Sequence, residues 1–178
     1  MKKILYLSVA SLFVLCVLSV RYFSCFRTFE KGDRLLLPVR VEEIRTDAFS
    51  SVVRLRYYNF IPVDALMKES GRIVIRHLND GRVAFVSKED GQKLRSRELL
   101  LKYTIVPPPL MKRETVEPNI RFASSELRFS KNRKINESAV CYAVAYVNGS
   151  GNAFLSGLAD CNGAELVKGL TFSDGRTR

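Results

Sequence analysis

Val53-Arg54-Leu55-Arg56-Tyr57-Tyr58 decides the architecture. Val53, Leu55 and Tyr57 alternate with Arg54, Arg56 and Tyr58, so an extended chain here carries an apolar row on one side and a basic, aromatic row on the other. That period predicts a strand with one face in a core. Further strands are predicted on both sides of it. Leu35-Leu36-Leu37-Pro38-Val39-Arg40-Val41 is apolar and β-branched, with Pro38 limiting it to an edge or irregular strand. Ile73, Ile75 and His77 alternate with Val74 and Arg76, and Asp80-Gly81 joins them to Val83-Ala84-Phe85-Val86 as a tight hairpin. Asp90-Gly91 marks the next turn, and Leu99 to Val106 is a strand stopped by Pro107, Pro108 and Pro109.

Only one short helix is predicted beyond the amino-terminal segment: Pro62 near its start, Val63, Leu66 and Met67 on one face, Gly71 after its end. Residues 111–135 read as a long surface connection holding one irregular strand, with Ile120, Phe122, Leu127 and Phe129 packing in part. Ala139 to Ala159 carries no charge and is long enough to cross a bilayer. Asn148-Gly149-Ser150-Gly151-Asn152 would then lie at the hydrocarbon midplane, so a hairpin buried on both faces is the better account. Pairing Val147 with Ala153 sets Cys141 opposite Ala159 and one diagonal step from Cys161. A bulge or added twist near Asp160 would close that gap to a disulfide; the competing account is two unconnected small core residues.

Lys2 and Lys3 precede Ile4 to Val20, a run with no charge, and Tyr22, Phe23 and Phe26 continue its apolar character to Arg27. The strict run is roughly 25 Å long as a helix, against a hydrocarbon core of about 30 Å. A single-pass membrane anchor over residues 1–27 is expected, followed by a β-rich domain over 28–178. A cleaved signal peptide is the alternative, but Leu18-Ser19-Val20-Arg21 offers no small-x-small site; a buried core helix is the third. Lys2 and Lys3 favour an inside amino terminus, whereas Arg21, Arg27, Lys31 and Arg34 load the other flank. Long domains translocate largely regardless of charge, so the domain is expected on the extracytoplasmic, periplasmic side of the cell membrane.

The chain has 178 residues, 47% hydrophobic, which suits one packed domain with an appendage and excludes a disordered chain. One histidine and four scattered cysteines exclude two-imidazole metal sites and zinc-ribbon spacings, and no cofactor is expected. His77 is read as structural. No Gly-x-Ser-x-Gly, Walker, dinucleotide or His-Glu-x-x-His pattern occurs. Lys31-Gly32-Asp33-Arg34-Leu35 resembles the strand entry of signal-peptidase-like enzymes, but no Ser-Met-x-Pro precedes it. The net charge is +11; Lys2, Lys3, Arg21 and Arg27 account for four, leaving +7 on residues 28–178. Those charges are spread over most strands with no nucleic-acid signature, so attraction to anionic headgroups or to an acidic partner face is expected rather than nucleic-acid binding, beside a plain solvated surface.

Leu36-Leu37-Pro38-Val39, Arg45-Thr46-Asp47-Ala48-Phe49 and Val53-Arg54-Leu55-Arg56-Tyr57 together resemble the opening of the bacterial GDYXXLXY family. The Asp80-Gly81 hairpin, Glu126 with Phe129, and the carboxy-terminal hairpin ending in Gly157-Leu158 follow in the order that resemblance implies. Leu55 and Tyr57 match the motif, whereas Ser50, Ser51 and Val52 stand where Gly, Asp and Tyr belong, which removes its one carboxylate. The resemblance implies a membrane-anchored protein of unknown biochemical function, often encoded beside a multi-spanning membrane protein.

The fold class expected is mainly β, an antiparallel sheet, sandwich or barrel-like body, with an N-terminal transmembrane helix. The expected role is a non-catalytic accessory module docking on another membrane protein, with Arg54, Arg56 and Tyr58 as contact residues. An envelope hydrolase with an unrecognised site, or a binder of anionic lipid or polysaccharide, are the alternatives.

Overall fold

The computed structural model describes residues 2–58, 60–62, 69–106, 119–133 and 135–169, and for 2–11, 21, 24 and 25 the backbone alone. The short helix expected over Val63, Leu66 and Met67 and the stop at Pro107–Pro109 lie outside the described residues; Gly71 belongs to a strand.

The chain begins with a 30-residue helix, α1 (Lys2–Lys31), and passes through Gly32 alone into a 14-residue strand, β1 (Asp33–Thr46). Among the described residues nine strands follow: β2 (Ser50–Tyr57), β3 (Ser70–His77), β4 (Val83–Lys88), β5 (Glu98–Val106), β6 (Asn119–Arg121), β7 (Glu126–Ser130), β8 (Tyr142–Val147), β9 (Ala153–Ala159) and β10 (Glu165–Lys168). They form a six-stranded antiparallel sheet in the order β10-β9-β8-β1-β2-β7 and a four-stranded one in the order β4-β3-β5-β6. The body is mainly β, a half-barrel. Its larger sheet curls until the ends meet: a Cβ on Gly169, just past β10, would lie 2.5 Å from the Arg128 carbonyl oxygen on β7.

One core joins the sheets. Leu35 and Leu37 of β1, Leu55 of β2, Ile75 of β3, Leu101 of β5 and Leu155 of β9 are all at most 2% exposed within it. Tyr57 stacks edge-on against Phe122 at 5.8 Å, and Phe60 lies over the same ring at 4.9 Å. The Tyr57 hydroxyl donates to the Ser124 carbonyl at 2.7 Å, and burial pushes its phenol well above the usual range.

Pro38 sits in an irregular strand rather than an edge one, because β1 lies between β8 and β2. Residues 33–38 pair with β8 and residues 39–46 with β2, so the strand changes partners at the proline. The Val39 amide completes the β8 side on the Cys141 carbonyl, and the Pro38 carbonyl accepts from the Tyr58 amide. A missing N–H costs nothing at such a crossover.

Of residues 111–135, the described ones hold two strands rather than one. β6 completes the smaller sheet beside β5, and β7 the larger beside β2, with buried Phe122 and Ala123 between them. The Asp80-Gly81 hairpin forms with Gly81 at φ +85°, a conformation that favours glycine.

The β8–β9 hairpin pairs Val147 with Ala153, but a bulge at Ser156 shifts the far end. Tyr142, not Cys141, faces Ala159, and the Ser156 hydroxyl donates to the Val144 carbonyl at 3.1 Å. The slip brings Cys141 to within one residue of Cys161, and a disulfide joins them with Cα atoms 5.0 Å apart. Asp160 organises the turn rather than a bulge, accepting from the Asn162 and Ala164 amides at 2.9 and 2.8 Å.

The helix runs past residue 27 to Lys31, with Thr28 buried, and seats on the hairpin through Phe29. That ring meets Tyr146 edge-on at 5.5 Å and Phe154 at 6.3 Å. Farther up, Leu12, Phe13, Val14 and Leu15 are 64%, 70%, 55% and 60% exposed. Among the described residues, whose side chains on this helix begin at Leu12, no helix is long and apolar enough to cross a membrane. The span expected over Ile4–Val20 therefore rests on the sequence.

Candidate functional site

The outer face of β1, β2 and β7 holds Arg54, Arg56 and Tyr58. Arg40 stands directly across from Arg56, a like-charge pair that would be unfavourable alone. A bulge compensates. The register moves from Val41–Leu55 to Glu43–Arg54, so Glu42 is an extra residue and two consecutive carboxylates serve the basic row. Arg54 reaches Glu43 at 3.5 Å and Glu126 of β7 at 3.3 Å, and Arg56 reaches Glu42 at 4.0 Å. Arg45 binds Glu43 at 2.6 Å; that hydrogen bond holds the Glu43 carboxyl below its usual range and the Arg45 guanidinium above its own. The row is thus a mosaic in which Arg45, Arg54 and Arg56 each reach a carboxylate. Leu55 and Tyr57, the motif matches, point the other way and are buried.

Tyr58 is 52% exposed and borders an open groove of about 700 Å³ beside the Cys141–Cys161 bridge, lined also by Pro38, Arg40 and Tyr142. Arg82, from the β3–β4 turn, reaches the same end: its guanidinium stacks 5.3 Å from the Tyr142 ring centre and donates to the Cys161 carbonyl at 3.1 Å.

The β1–β2 turn carries Phe49, 92% exposed. Asp47 fixes it by accepting from the Phe49 amide at 2.8 Å and the Ser50 amide at 2.6 Å, bonds that hold its carboxyl below the usual range. Glu98 is lowered likewise, first by the Arg95 amide.

A second groove, about 550 Å³, lies where α1 meets the β8–β9 loop. Val20, Phe23, Arg27 and Lys31 line one wall, Asn148 and Gly149 the other. Sequence reading treated Arg27 only as a flank of the apolar run and missed this groove; the spacing i, i+3, i+7, i+11 was its visible signal. Phe49 was likewise missed as an exposed residue.

Among the described residues no group of three or more His, Cys, Asp or Glu could hold a metal ion. His77 sits in β3 with its amide donating to the Arg97 carbonyl at 2.9 Å. Among the described residues that line the two grooves there is one carboxylate, Glu137. No protein-family model matches the chain, and neither a curated protein nor a solved structure matches it.

Proposed function

We propose that this chain is a non-catalytic accessory protein of a bacterial envelope, anchored in the cell membrane by α1. Its β body stands on the extracytoplasmic side and docks on another membrane protein. One observation carries the reading: the large apolar side chains of α1 described from Leu12 to Phe26 are solvent-exposed on every face, with four consecutive exposed positions at Leu12–Leu15. A helix apolar all round needs an apolar surrounding. Ile4 to Val20 extends that run along the same continuous helix of 30 residues, about 45 Å long.

The Cys141–Cys161 bridge favours an oxidising compartment. Docking rests on exposed aromatics beside arginines, Tyr58 with Arg54 and Arg56, a composition typical of protein interfaces. Both arginines would exchange their glutamates for the partner's acidic groups. The likeness to the GDYXXLXY proteins points the same way.

The full-length chain, expressed with Phe49→Cys, tests this. It is expected to pellet with membranes after an alkaline carbonate wash, and intact spheroplasts should label at position 49 with an impermeant maleimide. A chain released by carbonate defeats the anchor; labelling only after lysis reverses the side. Charge reversal at Arg54 and Arg56 is expected to abolish co-purification with a membrane partner, and unchanged co-purification removes them as contacts.

A further inference from the structure

We propose that the groove at the base of α1 binds the phosphate headgroup of an anionic phospholipid of the membrane that the helix enters. The proposal rests on the anchoring reading above and names a ligand for the site where anchor and body meet.

Val20, Phe23, Arg27 and Lys31 fall at i, i+3, i+7 and i+11, one stripe along α1 facing the β8–β9 loop. The stripe is graded. Its outer half is apolar, with Val20 69% and Phe23 63% exposed, and its inner half carries two cations. A phospholipid has the same polarity profile, with acyl chains toward the bilayer and the phosphate toward the body. Arg27 and Lys31 lie one turn apart, about 6 Å along the axis. They can therefore take the two non-bridging oxygens of one phosphodiester, Arg as a fork and Lys as a point charge.

Neither cation has a carboxylate within ion-pair distance among the described residues, in contrast to Arg54 and Arg56. Glu30 and Asp33, the nearest acids in sequence, do not line the groove. The opposite wall is donor-rich. Asn148 engages its side-chain carbonyl with the Ser150 and Asn152 amides at 3.1 and 3.0 Å, which leaves its NH2 group as a donor. Gly149 leaves open space where a Cβ would stand. Two cations without a counter-charge repel an ammonium headgroup, so the site should prefer phosphatidylglycerol to phosphatidylcholine.

The test uses the full-length chain in detergent micelles, titrated with either lipid, with bound lipid counted by native mass spectrometry. Wild type should retain phosphatidylglycerol at least tenfold better than phosphatidylcholine. Arg27→Ala with Lys31→Ala should lose that preference, at about fivefold for each charge. Arg27→Lys with Lys31→Arg should keep it, as should Lys88→Ala with Lys93→Ala, which removes equal charge elsewhere. Equal retention of the two lipids overturns the proposal, as does a similar loss from the Lys88/Lys93 variant. Displacement by millimolar inorganic phosphate would assign the groove to free anions and overturn the lipid. Flotation with phosphatidylcholine vesicles separates the two readings. A chain that floats but shows no lipid preference loses only the headgroup site, whereas a chain that does not float loses the anchor and the headgroup site together.

Discussion

The outer face of β1, β2 and β7 and the groove at the base of α1 are both built around basic side chains, yet they are electrostatically opposite. On the sheet, Arg54 and Arg56 are answered by Glu43, Glu126 and, across 4.0 Å, Glu42. At the helix base, Arg27 and Lys31 have no such answer among the described residues. A net charge of +11 therefore says little about where positive charge is available. Strand register contributes to it, because the bulge that adds Glu42 to the ladder gives Arg56 a carboxylate.

The comparison implies that the two regions fail separately. Removing the Cys141–Cys161 bridge by Cys161→Ser should give the largest effect. It frees a loop of 20 residues beside the Tyr58 groove, a loss of about 3 kcal/mol on the chain-entropy account. Urea unfolding with and without reductant measures it, and coincident curves for wild type would show that the bridge does not constrain the fold. Gly32→Ala should follow, costing about 2 kcal/mol by overpacking. A Cβ there meets the carbonyl oxygens of Thr28 and Val147, backbone atoms that cannot swing aside as a side chain would. A spin-label distance between positions 23 and 149 should broaden in that variant while the Tyr58 groove stays intact; an unchanged distribution would mean that the junction is not tightly packed.

A double-mutant cycle on Arg54 and Glu126 should return only about 0.5 kcal/mol, falling as salt rises, because both groups are part exposed. A coupling near zero would make the row a set of independent charges. The smallest effect is acid loosening of the β1–β2 turn. Asp47 and Glu43 have carboxyls held below their ordinary values, so what they add to stability is complete above the usual carboxylate range and is lost as pH falls through their lowered values. Protection factors, which allow for the slower intrinsic amide exchange in acid, should fall at residues 47–50 on acidification, while those at residues 27–32 stay as they were. A parallel fall at both would break the contrast.

Much of the sheet was legible because burial on one side writes itself as alternation: Val53, Leu55 and Tyr57 are inward and Arg54 and Arg56 outward, as their spacing demands. What was not legible sits at interruptions of that period. Glu42 and Ser156 each insert one residue, so pairings counted from one end are wrong at the other, and Cys141 was placed one position off. β6 is three residues long, too short to show any period, and the chain crosses between sheets through buried Phe122 and Ala123 without a Gly or Pro to announce it. The site residues divide the same way. The outward direction of Arg54 was readable, but its partners come from β7, 72 residues away, and from a bulge. The groove at the helix base joins residues 20–32 to residues 148 and 149, and local spacing displays only one of its walls.

The absence of a linker at Gly32 has a mechanical corollary. α1 passes into β1 within one residue and is held a second time where Phe29 meets Tyr146 and Phe154, so helix and sheet are joined twice. If α1 is anchored as proposed, a lean of about 20°, an ordinary tilt for a membrane helix, would turn the body with it and swing the exposed Phe49 tip sideways.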